Sequence, residues 1–476
     1  MRRDLEQAKA ELERRYAASL AKKTRRSAAI RKAGTVCILL LSFTLLTVGV
    51  AIRTPEGQTT LPGIESSAAE LENSTSSEAS EETSRPVQMS GSKNLMAGIT
   101  PMSVTKRKPD NAFITSQMDF AVKLLQQSLK KDGGKGALVS PLSAQLCLAM
   151  VANGADGETL AEMEKVLGGD LSLEQLNQYL SAYAESLPST EKTKLLINNA
   201  IWFKEGYPIY TDFLQTNANY YGADLYQAPF GMDTLEADLR EINDWVNTNT
   251  DGMIPKLFDE LDEDTVMVLI NTLLFNGTWE TAYADEDVKD GTFYSYSGKE
   301  QTVEMMRSTE SVYFADENAK GFLKYYDGKD YAFAAILPEQ GTDILEYVNS
   351  LNGASLQSLL AKQYKTAVDV GLPKFKFEYS MDLKPILRDM GMPTAFLEDA
   401  ANFSKMSSRL LHIGQAVQKT AIELSPTGTK AAAATGVGME ENVGVSPYVY
   451  LNRPFVYMIL DTKTNLPLFI GVMTEM

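Results

Sequence analysis

Apolar residues follow three different patterns along the 476-residue chain. An 18-residue run from Thr35 to Ile52 contains no charged side chain. As a helix rising about 1.5 Å per residue, it would span about 27 Å, which is close to the hydrocarbon thickness of a membrane. Residues 53–109 show no apolar periodicity, whereas apolar residues recur throughout residues 110–476. The pattern predicts one large folded domain preceded by an apolar segment and a polar spacer.

Within residues 110–476, the apolar spacing changes from helical to strand-like. Helical spacing begins near Phe120 and again after Ser140-Pro141, where Ser can cap a helix and Pro suits its first turn. Later apolar runs are typical of buried strands. These runs are 266–271, 331–337, 417–424, 455–460 and 466–472, and the last two read as a closing hairpin. A mixed α and β domain with large buried sheets is expected.

The residues before the apolar run carry a positive charge. Residues 1–33 contain 11 Lys or Arg and 4 Asp or Glu, which gives a net charge of 11 − 4 = +7. Such a cluster favours retention of the N-terminus in the cytoplasm. The prediction is a basic cytoplasmic segment over 1–33, an uncleaved signal anchor over 34–52, a disordered Ser/Thr/Glu-rich linker over 53–109 and an extracellular domain over 110–476. The alternative is a signal peptide that is cleaved after Gly49-Val50-Ala51, which would release a secreted protein.

Charge and rare residues exclude several classes of function. The net charge of −17 argues against nucleic acid as a partner. Cys37 and Cys147 lie far apart in different contexts and indicate neither a disulfide framework nor a metal site. His412 is the single histidine, and no nucleophile motif surrounds it. We therefore expect no catalytic residues, no metal and no cofactor.

An unusual segment lies between Glu423 and Pro447. It reads ELSPTGTKAAAATGVGMEENVGVSP and has almost no large hydrophobic residue. Alanine favours helices, but a surface helix would usually show an apolar face, and this run shows none beyond alanine. A floppy linker is the other simple interpretation. The segment stands between two predicted strands, at 417–424 and 455–460.

Motifs over the whole folded region resemble those of the serpin family. The chain is identified as a member of a membrane-anchored, bacterial-like type. The matching segments are Ser140-Pro141-Leu142-Ser143 with Asn153 to Thr159, Asn199 to Phe203, Ile242 to Ile254, Asn271 to Trp279, Pro373 to Lys376, Met390 to Met392 through Ser404, Asn452 to Phe455, and Phe469 to Val472.

The resemblance implies an α+β serpin fold with three β-sheets, eight to nine helices and an exposed reactive loop. It also implies a suicide-substrate inhibitor that is not itself an enzyme. The expected partners are extracellular serine proteases of elastase-like or subtilisin-like type, or cysteine proteases, each held in a covalent complex with a monomeric inhibitor. The alternative is a non-inhibitory binding protein with the same fold.

The small-residue segment matches the hinge of the family's mobile loop. A strand that enters a preformed sheet must avoid bulky side chains and buried charges, and alanines meet both needs. Gly428 supplies backbone freedom at the pivot. With a period of two, Lys430 should face solvent while Thr429 and Ala431 point inward. The hinge residues are Gly428, Thr429, Ala431, Ala432, Ala433 and Ala434.

Two departures from the family pattern concern the sheet that opens. Pro426 replaces a usual Glu at the top of the hinge, and a proline there is expected to hinder local pairing because it lacks an amide donor. Gln418 stands where many members have His, and its amide can still donate and accept hydrogen bonds. The resemblance assigns the sheet-opening cluster to Ser140, Ser143, Asn271, Gln418 and Trp279, with Trp279 at the mouth where the loop enters.

The family keeps a nearly fixed distance from the pivot glycine to the cleaved bond. Counting fourteen residues on from Gly428 places the reactive bond at Asn442–Val443. Counting back from Pro454 places it at Val443–Gly444 instead. A Val before the bond would suit an elastase-like pocket. Both bonds stay open as predictions.

Overall fold

The computed structural model describes residues 91–261, 265–429 and 447–476. In this part of the chain, nine α-helices surround three β-sheets, here called sheets A, B and C. The predicted fold class is confirmed, the apolar runs at 331–337, 417–424 and 455–460 lie in strands, and the run at 466–472 lies in a strand from Pro467 onwards. The run at 266–271 opens a strand that continues to Thr278.

Sheet A carries the hinge and has seven described strands. In spatial order they are β1 (Lys93–Asn94), β4 (Asp224–Ala228), β3 (Thr193–Lys204), β5 (Met267–Thr278), β15 (Gly428–Thr429), β14 (Gln415–Ser425) and β13 (Phe375–Asp382). Eleven residue pairs join β3 to β5 and eight join β13 to β14. The two described hinge residues, Gly428 and Thr429, therefore lie between two halves of the sheet that are each held by long pairings.

Sheets B and C complete the β structure of the described residues. Sheet B runs β11 (Gln363–Tyr364), β8 (Val312–Ala315), β9 (Ala319–Tyr325), β10 (Tyr331–Pro338), β17 (Phe455–Asp461), β18 (Pro467–Met473) and β2 (Ala137–Val139). Sheet C runs β16 (Tyr448–Tyr450), β12 (Val368–Pro373), β7 (Glu300–Glu310) and β6 (Val288–Tyr294). Strands β10, β17 and β18 are buried along their whole length, as expected for apolar runs without alternation.

The helices cover the sheets and fill the space between them. Their bounds are α1 (Asn111–Lys131), α2 (Pro141–Ala152), α3 (Gly157–Gly168), α4 (Leu173–Ser186), α5 (Thr211–Tyr221), α6 (Leu235–Asn249), α7 (Ile344–Ser350), α8 (Gly353–Ala361) and α9 (Leu383–Met390). The Asp110 side chain caps α1 by accepting from the amide of Phe113. Every residue of α2 is buried, because this helix packs between β5 of sheet A and β18 of sheet B.

The structure differs from the linker prediction over residues 91–109. Strand β1 pairs with β4, and Leu95, Met96 and Ile99 pack against the hydrophobic core. The Glu241 carboxylate accepts hydrogen bonds from the amides of Gly91 and Ser92, each at 3.0 Å. A few apolar contacts and a satisfied sheet edge are enough to order a segment whose composition alone indicates disorder.

The predicted anchor at 34–52 lies outside the described residues. Among the residues that are described, no helix combines the length and the apolar character needed to span a bilayer. The anchor, the cytoplasmic segment and residues 53–90 of the linker therefore stay predictions from the sequence.

Candidate functional site at the opening of sheet A

Strands β5 and β14 form a fork in sheet A. At one end they pair directly and in parallel, Val268 with Gln415 and Leu269 with Ala416. At the other end β15 lies between them, so that Thr429 pairs with both Gly277 of β5 and Leu424 of β14. Between these ends, residues 270–276 face residues 417–423, and no described strand lies between the two segments. The fork thus contains a slot about seven residues long, and the first two hinge residues, Gly428 and Thr429, are already paired at its mouth.

Pro426 and Thr427 form the turn that carries β14 into β15. Because Ser425 pairs with Gly428, these two residues are the whole loop of a tight hairpin. The Pro426 carbonyl accepts from the amide of Tyr283 at 2.9 Å, and the Thr427 carbonyl accepts from the amide of Trp279 at 3.1 Å. The sequence led us to expect that Pro426 would hinder pairing. In the structure it lies at the turn, where the strand ladder needs no amide donor.

Trp279 lies against the turn, at the mouth of the fork. Its indole Nε1 donates to the Ser425 carbonyl at 3.0 Å. The indole stacks on Tyr326 with ring centroids 4.5 Å apart and an interplanar angle of 17°. The backbone and the side chain of Trp279 therefore both bind the hairpin.

Tyr326 contacts the hinge itself. Its hydroxyl oxygen lies 2.6 Å from Oγ1 of Thr429, and both side chains are buried. Burial raises the pKa of Tyr326 well above its ordinary value, and the hydrogen bond with Thr429 acts in the opposite direction. The phenol is therefore neutral at physiological pH and free to act as donor or acceptor towards the threonine hydroxyl.

A buried ion pair supports the segment that holds the turn. Lys324 Nζ lies 2.8 Å from Oε1 of Glu310, with side-chain exposures of 3% and 13%. The same ammonium donates to the Thr281 carbonyl at 3.1 Å and lies 4.3 Å from the ring centroid of Tyr283. Sequence reasoning missed both charges. The available signal was the position of Lys324 in an otherwise apolar run, Phe322-Leu323-Lys324-Tyr325-Tyr326.

The far end of the fork holds most of the predicted sheet-opening cluster. Ser140 and Gln418 exchange two hydrogen bonds, from the Ser140 amide to Oε1 at 3.0 Å and from Nε2 to the Ser140 carbonyl at 2.9 Å. Asn271 donates to Oδ1 of Asn199, while its own Oδ1 is buried without a partner. Ser143 is buried in the first turn of α2. The Ser140–Gln418 pair joins the start of helix α2 to the β14 arm of the fork, and the Asn271–Asn199 bond joins the β5 arm to β3.

A small cavity opens beside this cluster. It lies between α2 and the two arms of the fork, and burial raises the pKa of the Cys147 thiol in its wall to about 12. The lining residues are Cys147, Leu148, Leu269, Asn271, Leu383, Ala416, Val417 and Gln418. Among the described side chains that line the cavity, Asn271 has a buried Oδ1 without a hydrogen-bond partner.

The structure separates the predicted cluster into two places. Trp279 lies eight residues beyond Asn271 along the β5 chain, about 26 Å away at 3.3 Å per residue. Ser140, Ser143, Asn271 and Gln418 therefore lie at the closed end of the fork, and Trp279 lies at its mouth. Residues Ala431, Ala432, Ala433 and Ala434 and the predicted bond at Asn442, Val443 and Gly444 lie outside the described residues.

Gly428 is required where the hinge enters the sheet. Its φ is +150°, and a Cβ at this position would lie 2.1 Å from the Gly277 carbonyl oxygen. Gly428→Ala is therefore expected to expel β15, and the amides of Trp279 and Tyr283 should exchange hydrogen at least about tenfold faster. Gly298→Ala is the matched control, since Gly298 also has positive φ, +80°, but no neighbouring atom within 4 Å. Equal exchange in the two variants would contradict this role.

Fold and site together define a class of protein with nine described helices, three sheets and a fork in sheet A, with Gly428 and Thr429 paired at the mouth of the fork. The chain belongs to the serpin family, because the family model described as Serpin (serine protease inhibitor) matches residues 115–476. Serpins in general inhibit proteases and do not act as enzymes, so membership supports inhibition at the level of the family.

The relatives include both solved structures and sequences. The native state of tengpin, a thermophilic serpin, is 42% identical, covers 81% of this chain and 100% of its own, and has a TM-score of 0.77. An uncharacterized serpin-like protein of Thermococcus kodakarensis is 31% identical over 341 residues, or 70% of this chain and 79% of its own. A thyroxine-binding globulin, solved in complex with thyroxine, is 25% identical, covers 76% of this chain and 98% of its own, and has a TM-score of 0.69.

Proposed function

We propose that this chain is a suicide-substrate inhibitor of extracellular serine proteases, of elastase-like or subtilisin-like type, with cysteine proteases as a second class. The observation that carries the proposal is the fork with Gly428 and Thr429 already paired at its mouth. The protease would cleave the loop beyond the hinge and form an acyl-enzyme. Insertion of the hinge as a strand would then carry the enzyme away before the ester is hydrolysed.

The register between β5 and β14 supports insertion of the hinge without a shift in strand pairing. At the closed end, Gln415 pairs with Val268, an offset of 415 − 268 = 147. At the mouth, Thr429 joins Leu424 to Gly277, and 424 − 277 = 147. Because the offset is the same at both ends, a strand growing from Thr429 meets both arms in one continuous register.

Extending this register assigns a place to each hinge residue. Ala431 would lie opposite Phe275 and Ile422, whose side chains are 3% and 2% exposed. Lys430 would lie opposite Glu423, which is exposed. Small side chains would thus face the crowded inner side of the fork, and the lysine would meet a carboxylate at the surface. The composition of the hinge fits the slot that the structure offers.

The proposal also includes the cellular location of the folded domain. The basic residues and apolar run before residue 53 favour an anchor with the inhibitory domain outside the cell, and secretion after cleavage is the alternative. The domain would then meet its target proteases at the cell surface. Fractionation of cells that express the full chain, followed by protease accessibility of the domain, distinguishes the two arrangements.

The test of function is the covalent trap itself. Incubation of the full chain with an elastase-like and a subtilisin-like protease should give a complex that survives SDS. Mass spectrometry of the released fragment should identify cleavage at Asn442–Val443 or Val443–Gly444. The cleaved inhibitor should melt far above the intact form, because the new strand adds two rows of backbone hydrogen bonds to sheet A. If both proteases digest the loop and neither sign appears, the chain is not an inhibitor of these enzymes.

A further inference from the structure

The described part of the hinge has one side chain that can anchor it. Gly428 has none, so Thr429 alone supplies side-chain contacts to β15. Its hydroxyl meets Tyr326, and the exposures of Thr429 and Tyr326 are 1% and 0%. Each of these buried hydroxyls is the hydrogen-bond partner of the other, and loss of either would leave the other unpaired, which is strongly unfavourable.

The phenol of Tyr326 is fixed by its surroundings. The ring stacks on Trp279, and the Phe275 ring approaches it edge-on at 4.7 Å and 68°. It also lies across Gly277, because a Cβ added there would be 2.7 Å from Cδ1 of Tyr326. Gly277 is the residue of β5 that pairs with Thr429. The hydroxyl therefore cannot follow Thr429 if the hinge shifts.

We infer that Tyr326 is a positioning residue that holds the hinge in sheet A of the intact protein through the Thr429 hydroxyl. This inference deepens the proposed function, because Thr429 would keep the same place when the rest of the loop inserts. The pair thus favours every state with the hinge inside the sheet over the state with the hinge expelled. Insertion would start from a strand already in register.

Hydrogen exchange in the intact full-length chain tests the inference without a protease. In both Tyr326→Phe and Thr429→Val, one hydroxyl stays buried without its partner. Exchange of the hinge amides at 428 and 429, and of the Trp279 and Tyr283 amides, should be about tenfold faster in each. Thr429→Ser keeps the hydroxyl and should exchange like the wild type. The double variant removes both hydroxyls and should lie closer to the wild type than either single variant does.

Tyr331→Phe is the control for a general loss of stability. Tyr331 also contacts Phe275, but its hydroxyl donates to the Pro188 carbonyl at 2.8 Å and does not touch the hinge. In Tyr331→Phe, hydrogen exchange at the amides of 428, 429, Trp279 and Tyr283 should stay within about twofold of the wild-type rate. Additive effects in the double variant, or equal effects in Tyr331→Phe and Tyr326→Phe, would overturn the inference.

A protease assay separates this inference from the proposed function. If the wild type traps protease, both single variants should lose a larger fraction of inhibitor to simple cleavage, and Thr429→Ser should restore trapping. If the wild type traps no protease while the exchange pattern holds, the proposed function fails and the positioning role of Tyr326 stands. If trapping occurs but exchange at the hinge is already fast in the wild type, the positioning role fails alone.

Discussion

If the chain inhibits proteases as proposed, exchanging Lys430 and Ala431 is expected to make it a substrate that the protease simply cleaves. The double variant Lys430→Ala/Ala431→Lys keeps the composition of the hinge but turns the charge inward. At position 431 an inserted strand faces Phe275 and Ile422, both buried. Desolvating an unpaired ammonium there is costly, and a penalty of about 3 kcal/mol would slow insertion about 100-fold relative to hydrolysis of the acyl-enzyme.

The yield of SDS-stable complex per molecule of inhibitor cleaved measures this effect. Lys430→Ala alone is the matched control, because it removes the outward charge without burying one. It should trap protease nearly as well as the wild type. A swapped variant that still traps efficiently would mean that the register of the fork does not extend into the hinge as proposed.

Replacing Lys324 by Met is expected to destabilise the intact protein by about 3 kcal/mol, because it removes the cation beside the largely buried Glu310, which keeps only the Ser308 hydroxyl as a side-chain donor among the described residues. The pair lies beneath the segment that binds the turn, so the hinge should loosen as well. Lys374→Met is the control. Lys374 pairs with Glu304 at 2.6 Å, but the two side chains are 42% and 56% exposed, and loss of that pair should change stability by about 1 kcal/mol or less.

Urea unfolding measures both variants under the same conditions. Adding Glu310→Leu to Lys324→Met should recover most of the lost stability, since a buried ion pair can be replaced by apolar side chains of similar size. A loss in Lys324→Met no greater than that in Lys374→Met would show that the buried pair does not support the fold.

Local sequence patterns predicted the regular elements well. The start of α2 at Pro141 and the apolar runs of β10, β14, β17 and β18 each depend on neighbours within a few residues. The predicted Ser140 cap was wrong, because its hydroxyl donates to the Leu468 carbonyl at 2.9 Å and makes no capping bond. These elements form as predicted because burial in the folded chain agrees with the local preference. The family resemblance added the arrangement into three sheets, which no local pattern contains.

Long-range pairings at the site could not be predicted from the sequence. Lys324 and Glu310 lie on different strands, β9 and β7, and a charge in isolation is more often solvated than buried. The sequence also did not show that Gly428 and Thr429 are already paired within sheet A. This pairing depends on backbone bonds from Trp279 and Tyr283 and on the hydroxyl of Tyr326, far from the hinge in sequence.

The order of residues 91–109 was missed for a related reason. Three apolar side chains are too few to indicate a folded segment by composition. The segment is ordered because β4 offers an unpaired edge and Glu241 offers acceptors for two amides. Neither feature is visible before the chain is folded.

The tight turn at Pro426 and Thr427 affects how fast the hinge can insert as a strand. The slowest part of forming a new strand is closing the loop that brings it to its partners, because chain entropy is lost before any pair forms. In this protein that loop is two residues long and already closed, so the strand grows from an existing hairpin. Seven residues, 430–436, fit the slot before growth meets the Leu269–Ala416 pair, the first contact that must break. On the proposed mechanism, the first seven residues can therefore insert before any pairing between β5 and β14 has to break. The first pairing must break when Val437 enters the sheet.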